Sequence, residues 1–104
     1  MEEDKAMRFN QNKPKWSYVH FKSLLPMVRV LEKGAIKYAP FNWTKPMNLK
    51  EIEESAMRHL TAIMDGELVD PETGELHIGH LLCNCMFWSY HYNKSMSEAI
   101  NNLE

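Results

Sequence analysis

Four polar side chains share one face of the least polar segment of the chain: His77, His80, Asn84 and His91. Their offsets of three, four and seven residues place side chains on the same side of an α-helix. Polar groups buried in such a position need partners. They can form a hydrogen-bonded core or interface network, or the imidazoles can bind a metal ion. The residues of the neighbouring segments help to decide between a hydrogen-bonded network and a metal site.

The tetrapeptide from His77 to His80 has the letters HIGH, which are also the ATP-binding signature of class I aminoacyl-tRNA synthetases. That signature requires a strand leading into the helix of a Rossmann-type sheet. In this chain the turn VDPETGE precedes the HIGH tetrapeptide, and the chain is too short to form such a sheet. We therefore do not assign the histidines to that motif.

The preceding helical stretch carries His59 on the face that its apolar residues mark as inward. Antiparallel packing through a turn of about ten residues would bring Glu67, Asp70 and Glu72 close to the histidines of the next helix. A cluster of carboxylates and imidazoles inside a bundle suits a divalent metal ion. The alternative is a solvated acidic turn, because carboxylates before a helix N-terminus are favourable without any ligand.

Basic, amide and aromatic residues form a second group of candidates: Arg8, Lys13, Lys15, Lys37, Asn42, Trp43 and Arg58. Lys and Arg neutralise phosphate charge, and a loop Trp can stack on a base. Trp43 can equally be a packing residue, because Trp buries a large area. A phosphate-bearing nucleotide is therefore a candidate ligand.

Apolar periodicity predicts the elements that position these residues. A first amphipathic helix is expected over 23–38 and a second over about 49–65. Asn48 and Glu51 are typical of the start of the second helix, and Gly66 is typical of the residue that follows its end. These features predict two helices joined by a loop.

The most apolar segment predicts a third helix over about 76–92, which we expect to be central and buried. The DPETG sequence at 70–74 predicts a turn before it. Ser95 and Glu98 resemble a capping box and predict a short fourth helix. No strand pattern competes, so the predicted fold is all-α, a small bundle of three to four helices.

A chain of 104 residues has room for one domain, which we place at 1–104 with an ordered N-terminal arm at 1–22. An apolar content of 44% without a long apolar run is typical of a soluble globular protein rather than a membrane protein. The net charge of −2 argues against a nucleic-acid polymer as partner. Eight Met and many aromatic residues favour a homo-oligomer, a dimer or tetramer.

Cys83 and Cys85 are two residues apart in the predicted third helix, so they point to different faces and cannot bridge each other. We expect both to be reduced thiols of the core. Reduced thiols are consistent with the cytoplasm, which is the host cytoplasm if the protein is phage-encoded.

Four segments carry a family resemblance: RFNQNK at 8–13, EKGAIKYAPFNW at 32–43, SAMRHLTAIMDGE at 55–67 and DPETGELHIGHLLCN at 70–84. In this order and spacing they resemble the phage and prophage dATP/dGTP diphosphohydrolase-like family, near the all-α nucleoside triphosphate pyrophosphohydrolases typified by MazG. The resemblance implies an all-α, MazG-like fold and an Mg²⁺ or Mn²⁺ cofactor. It also implies cleavage of dATP or dGTP to the monophosphate and pyrophosphate.

The same resemblance implies a role for each candidate. The metal environment is formed by Glu67, Asp70, His77 and His80, with His59 beside it. The catalytic candidates are Glu67 and His59. Glu67 is a carboxylate that would take the proton of the attacking water, and His59 lies beside the metal environment. Phosphates would be bound by Arg8, Lys13, Lys37 and Arg58. Nucleoside contacts, or the ordering of the pocket, would come from Asn42, Trp43 and Asn84.

One difference from the MazG-like group keeps other functions open. That group carries a Glu-Glu-x-x-Glu run and a Glu-x-x-Asp run, where this chain has Glu53-Glu54 followed by Met57, and His77-x-x-His80. A chain with an incomplete metal site could sequester a nucleotide without turning it over. A third possibility is a structural protein whose polar helix face specifies oligomer pairing.

Overall fold

The computed structural model describes residues 4–103, which are mostly helical. Its α-helices are α1 (Leu25–Lys37), α2 (Leu49–Met64) and α3 (His77–Leu103). Short 3₁₀ turns occur at Trp16–Tyr18, Phe21–Leu24 and Asn42–Thr44. An isolated antiparallel bridge joins Val69 and Leu76 in the loop between α2 and α3. The predicted all-α class is confirmed.

α3 is the central helix, because both α1 and α2 pack against it. Its buried residues fall on two faces: Gly79 and Cys83 face α1, and His77, Asn84 and His91 lie on the side that meets α2 and the loop before it. The face of α2 that meets it includes Ile52, of which only 2% is exposed. Polar residues therefore make up much of the line along which the helices meet.

The predicted ends of α2 are confirmed. The Asn48 side chain accepts a hydrogen bond of 2.9 Å from the N–H of Lys50, as an N-cap residue does. Gly66 follows the helix with a φ of 90°, in the left-handed region that suits glycine. Local sequence thus fixes where α2 begins and where the chain turns back.

The predicted break before a fourth helix is wrong. α3 continues without interruption from His77 to Leu103, so Ser95 lies within the helix rather than at its start. No Gly or Pro occurs after Gly79 to end the helix. Ser and Glu cost little in a helix interior, and a capping box acts only where the chain enters the helix from outside.

The described chain is elongated, with extents of 63 × 42 × 28 Å and a radius of gyration of 18.7 Å. A compact domain of this length would have a radius of gyration of about 13 Å. Beyond His91, every described residue of α3 is exposed, and so are residues 4–22 of the predicted arm. Residues 1–3 of that arm lie outside the described residues.

Few apolar side chains are fully buried, and the buried hydrophobic residues of the described chain are Ile52 and Cys83. Cys85 is exposed, so the expectation of two core thiols is right for Cys83 and wrong for Cys85. Both cysteines are free. Within residues 4–103, no helix has the length and apolarity needed to cross a membrane.

Candidate metal centre

A cluster of ionisable side chains lies where the end of α2, the following loop and the start of α3 meet. We call it the imidazole–carboxylate cluster, and it consists of His59, Glu67, Asp70, His77 and His80. His59 lies between the two histidines of α3. Its ring stacks on that of His80 with centroids 4.5 Å apart and an interplanar angle of 6°. Its Nδ1 atom lies 2.9 Å from Nδ1 of His77.

Glu67 is positioned by the end of α2. The N–H of Gly66 donates to the carbonyl of Ile63 and the N–H of Glu67 to that of Ala62, both at 2.9 Å. This pair of hydrogen bonds is a Schellman motif, which reverses the chain through the left-handed Gly66. The carboxylate of Glu67 is then brought to α3, where Oε1 lies 2.7 Å from Nε2 of His77.

Asp70 is positioned by the loop itself. Its side chain is buried, its Oδ1 accepts from the N–H of Glu72 at 3.0 Å, and its Oδ2 accepts from the hydroxyl of Thr73 at 3.2 Å. The carbonyl of Asp70 accepts from the N–H of Gly74, a residue with a φ of 76°. The predicted DPETG turn is confirmed, and it orders a carboxylate against the helices.

The hydrogen bonds define which ring nitrogens of α3 stay open. Glu67 is an acceptor, so Nε2 of His77 carries the proton and the Nδ1 lone pair faces His59. Nε2 of His80 lies 2.7 Å from the hydroxyl oxygen of Thr73 and 3.4 Å from Oδ2 of Asp70. Because that hydroxyl donates to Asp70, Nε2–H of His80 donates to Thr73.

Local environment keeps these groups in metal-binding forms. Burial lowers the pKa of His59, and the neighbouring His80 and His77 lower it further. Burial also lowers the pKa of His80, against the opposing charge of Asp70. Burial alone would raise the pKa of Asp70, but the hydrogen bonds from Glu72 and Thr73 outweigh it and lower that pKa. Neutral imidazoles and an ionised carboxylate are the forms that bind metal ions.

One donor atom each from His59, Asp70 and His77 lies within 4.8 Å of the other two. Mg²⁺ prefers oxygen ligands, so a group with two imidazole nitrogens fits it poorly. Two imidazoles and a carboxylate together suit a divalent transition-metal ion. The other two predicted metal residues lie outside this group of three donors and contact its members: Glu67 the far nitrogen of His77, and His80 the ring of His59.

Two predicted substrate residues lie next to the cluster. Arg58 is exposed and adjoins His59 in α2. The buried side-chain amide of Asn84 donates to Ser55 Oγ and to the carbonyl of His80, both at 3.0 Å. Asn84 therefore ties α2 to α3 beside the cluster.

The remaining predicted substrate residues lie elsewhere. Arg8 and Lys13 are on the exposed arm, and the Lys37 ammonium lies 5.1 Å from the ring centroid of Tyr38. Trp43 stacks on Phe87 with centroids 5.1 Å apart. No hydrogen bond or ion pair found within residues 4–103 joins these side chains to the cluster.

Trp43 is fixed over the middle of α3. Its carbonyl accepts a 2.7 Å hydrogen bond from Nε2 of His91, and its ring meets Tyr90 edge-on at 5.2 Å. Asn42 and Trp43 also line a mostly apolar groove of about 800 Å³ between α1, the loop that follows it and α3. Packing contacts thus hold Trp43 while part of its ring borders an open groove.

Two residues near the cluster were not found from the sequence. Thr73 links Asp70 to His80, and the only signal for it is its place in the DPETG turn. Lys33 of α1 donates to the carbonyl of Thr73 and pairs with Glu75 at 3.1 Å. Lys33 lies on the polar side of an amphipathic helix, where lysine is common, so no sequence pattern distinguishes it from a solvent-exposed lysine.

Comparison with known proteins places the chain in a family. The family model described as dATP/dGTP diphosphohydrolase, N-terminal, matches residues 3–99, a range that includes the whole cluster. Searches of curated proteins and of solved structures gave no match. The suspected resemblance is thereby confirmed, and the chain belongs to the dATP/dGTP diphosphohydrolase N-terminal family.

Proposed function

We propose that the protein hydrolyses dATP or dGTP to the monophosphate and pyrophosphate with the help of a divalent cation held at the imidazole–carboxylate cluster. The observation that carries this proposal is the convergence of two imidazole nitrogens and a carboxylate oxygen, within 4.8 Å of one another, in a chain of a diphosphohydrolase family. The hydrogen bonds of Glu67, Thr73 and Glu72 hold these groups in place, so the donor atoms converge in a fixed geometry.

Of the two ions that the family resemblance implied, we favour Mn²⁺, because it accepts imidazole nitrogen more readily than Mg²⁺ does. When bound by His59, Asp70 and His77, Mn²⁺ would polarise phosphoryl oxygens and lower the pKa of the attacking water. Glu67 is the candidate general base, because its side chain is 53% exposed and only Oε1 is engaged by His77. His59, beside the same atoms, is the second candidate for proton transfer.

The substrate would lie across the open side of the cluster. Arg58, exposed beside His59, is placed to neutralise phosphate charge there. Arg8, Lys13 and Lys37 remain candidates for further phosphate contacts. The groove bordered by Asn42 and Trp43 offers an aromatic surface for a purine base.

We also propose a homo-oligomer, dimer or tetramer, in the cytoplasm. The exposed fraction reaches 51% for Ile100 and 42% for Met96 on the projecting end of α3. Side chains of this kind are buried when a second chain packs against them. A small chain with few buried hydrophobic residues gains the rest of its core in this way.

A nucleotide-sequestering protein is the second candidate function. The group that could hold an ion contains a single carboxylate, Asp70, whereas phosphoryl-transfer sites commonly hold their metal ions through several oxygen ligands. A cluster with so few oxygens could favour binding over turnover. The basic residues and the groove would then serve recognition alone.

The experiment is to incubate the protein with dATP, dGTP, GTP or dUTP and Mn²⁺ or Mg²⁺, and to measure monophosphate and pyrophosphate by ion-exchange chromatography. Glu67→Ala and His80→Ala should abolish product while circular dichroism shows unchanged helical content. Glu72→Ala, which removes an exposed carboxylate of the same loop, is the matched control and should stay active. Tight nucleotide binding without product would support sequestration instead. Loss of helical content in both variants would support a structural role.

A further inference from the structure

We infer that His59, Asp70 and His77 form a transition-metal site of the two-histidine, one-carboxylate kind, for which Glu67 and His80 position the ligands without binding the ion. The inference rests on the proposed function for the use made of the ion. It goes further in naming the ligand atoms and the class of ion, which would be Co²⁺ or Zn²⁺ in preference to Mg²⁺.

The contact between the two Nδ1 atoms is the first step. A 2.9 Å separation of two ring nitrogens is an N–H···N hydrogen bond, in which one nitrogen carries the proton and the other a lone pair. Oε1 of Glu67 accepts a hydrogen bond from Nε2–H of His77, so Nδ1 of His77 is the nitrogen with the lone pair. In the metal-free protein, Nδ1–H of His59 donates to it. If His59 shifts its proton to Nε2, two lone pairs face a single point, as ligands do.

The surroundings of each ligand are the second step. Histidine ligands of metal sites commonly donate their other ring N–H to a carboxylate, which orients the ring. Glu67 does this for His77 at 2.7 Å. The parallel ring of His80 covers one face of His59 and limits its rotation. Asp70 is held at both oxygens by Glu72 and Thr73, and each oxygen keeps a further lone pair for an ion.

The choice of ion follows from these donors. Affinity for sites with nitrogen ligands rises from Mn²⁺ through Co²⁺ towards Cu²⁺ and is also high for Zn²⁺. Mg²⁺ keeps its own water and is bound through carboxylates and phosphates. Three protein ligands would leave coordination positions open for water or phosphate oxygens. The cluster should therefore select among divalent ions by their preference for nitrogen ligands, since their charges are equal.

The test uses the full chain, freed of any affinity tag, and no nucleotide. Titration with Co²⁺ should give visible d–d absorption that saturates near one equivalent, is displaced by Zn²⁺ and survives a large excess of Mg²⁺. Imidazole ¹⁵N spectra recorded with Zn²⁺ should show coordination shifts at Nδ1 of His59 and His77. The ring signals of His20 and His91 should not move.

Variants separate ligands from positioning residues. His59→Ala and Asp70→Asn should lose the Co²⁺ absorption, whereas Glu67→Gln should keep it with affinity reduced ~10–100-fold. His20→Ala removes an exposed imidazole of the arm and should bind Co²⁺ like the parent protein. Circular dichroism confirms that each variant is folded. If His59→Ala were unstable, the ¹⁵N shifts of the parent protein would still test the ligand atoms.

Absence of Co²⁺ absorption, displacement by Mg²⁺, or shifts confined to His80 would overturn the inference. These outcomes are distinct from failure of the proposed function. Nucleotide hydrolysis supported by Mg²⁺, without transition-metal binding, would remove the inference and the choice of Mn²⁺ but leave the hydrolase activity standing. Specific metal binding without any hydrolysis would do the reverse.

Discussion

Gly79 of α3 lies directly against the backbone of Pro26 at the start of α1. A Cβ atom placed at Gly79 would come within 2.3 Å of the Pro26 carbonyl oxygen and 2.7 Å of its carbonyl carbon. The glycine of the HIGH tetrapeptide is therefore the point where two helices cross, while His77 and His80 on either side of it belong to the cluster. Within a single turn of α3, Gly79 therefore packs against α1 while His77 and His80 belong to the cluster.

Replacing Gly79 with Ala should destabilise the protein. The clash is with backbone and not with a flexible side chain, so α1 must move, and overpacking of this kind costs ~1–3 kcal/mol. Thermal unfolding followed by circular dichroism measures the effect, with each kcal/mol lowering the Tm by about 4–8 °C. Gly34→Ala in α1 is the control, because no atom lies within 4 Å of the added methyl. It should stabilise the helix by ~0.5–1 kcal/mol.

Replacing Gly66 with Ala should weaken both the fold and the cluster. The residue has a φ of 90°, and an L-residue in the left-handed region costs ~1–2 kcal/mol. Relaxing that strain would move Glu67 away from His77. Urea unfolding measures the first effect and Co²⁺ affinity the second. Gly66→Asn should retain more of both, because Asn tolerates this conformation better. Equal stability of the Ala variant and the parent would contradict the assigned turn.

The two cysteines should differ in reactivity. Cys83 is 2% exposed, its S–H donates to the carbonyl of Met27, and burial raises the pKa of its thiol to about 12. Cys85 is exposed. Since the thiolate is the reactive form, a thiol reagent should modify one cysteine in the native protein and two in denaturant. Cys85→Ser should remove the native reaction and Cys83→Ala should leave it. Rapid modification of both native thiols would contradict this arrangement.

The projecting end of α3 should hold an interface between copies of the chain. Light scattering coupled to gel filtration should give a mass of two or four chains. Ile100 is an apolar side chain that is 51% exposed in the single chain. Ile100→Glu should shift the mass towards the monomer, because the interface would then have to bury a charge without a partner. Asn101→Glu adds the same charge at the next position and should have little effect. A monomeric parent protein would rule out this interface.

Local sequence predicted most of the helical framework. The N-cap at Asn48, the left-handed Gly66 and the turn at 70–74 each depend on a few neighbouring residues, and the structure confirms all three. The prediction of a fourth helix was wrong because Ser and Glu, the residue types of Ser95 and Glu98, occur inside helices as well as at their starts. They form a capping box only where the chain enters a helix from a non-helical segment, and the residue types alone do not show whether such a segment is present.

The sequence was enough to predict which residues form the cluster, but not which of their atoms contact one another. Helical spacing placed His77 and His80 together, and the short loop brought Asp70 near them. The engagement of Glu67 with the far nitrogen of His77, and the stacking of His59 on His80, depend on how α2 packs on α3. Periodicity carries no information on that geometry.

The segment from Glu67 to His77 contains two carboxylates and an imidazole of the cluster, and its own backbone bonds close it: Asp70 to Glu75 and His77 to Leu68. Lys33 of α1 adds two contacts from outside, to the carbonyl of Thr73 and the side chain of Glu75. A designer who transplants this segment between two other antiparallel helices must therefore supply one histidine from the first of them and a lysine from a neighbouring helix.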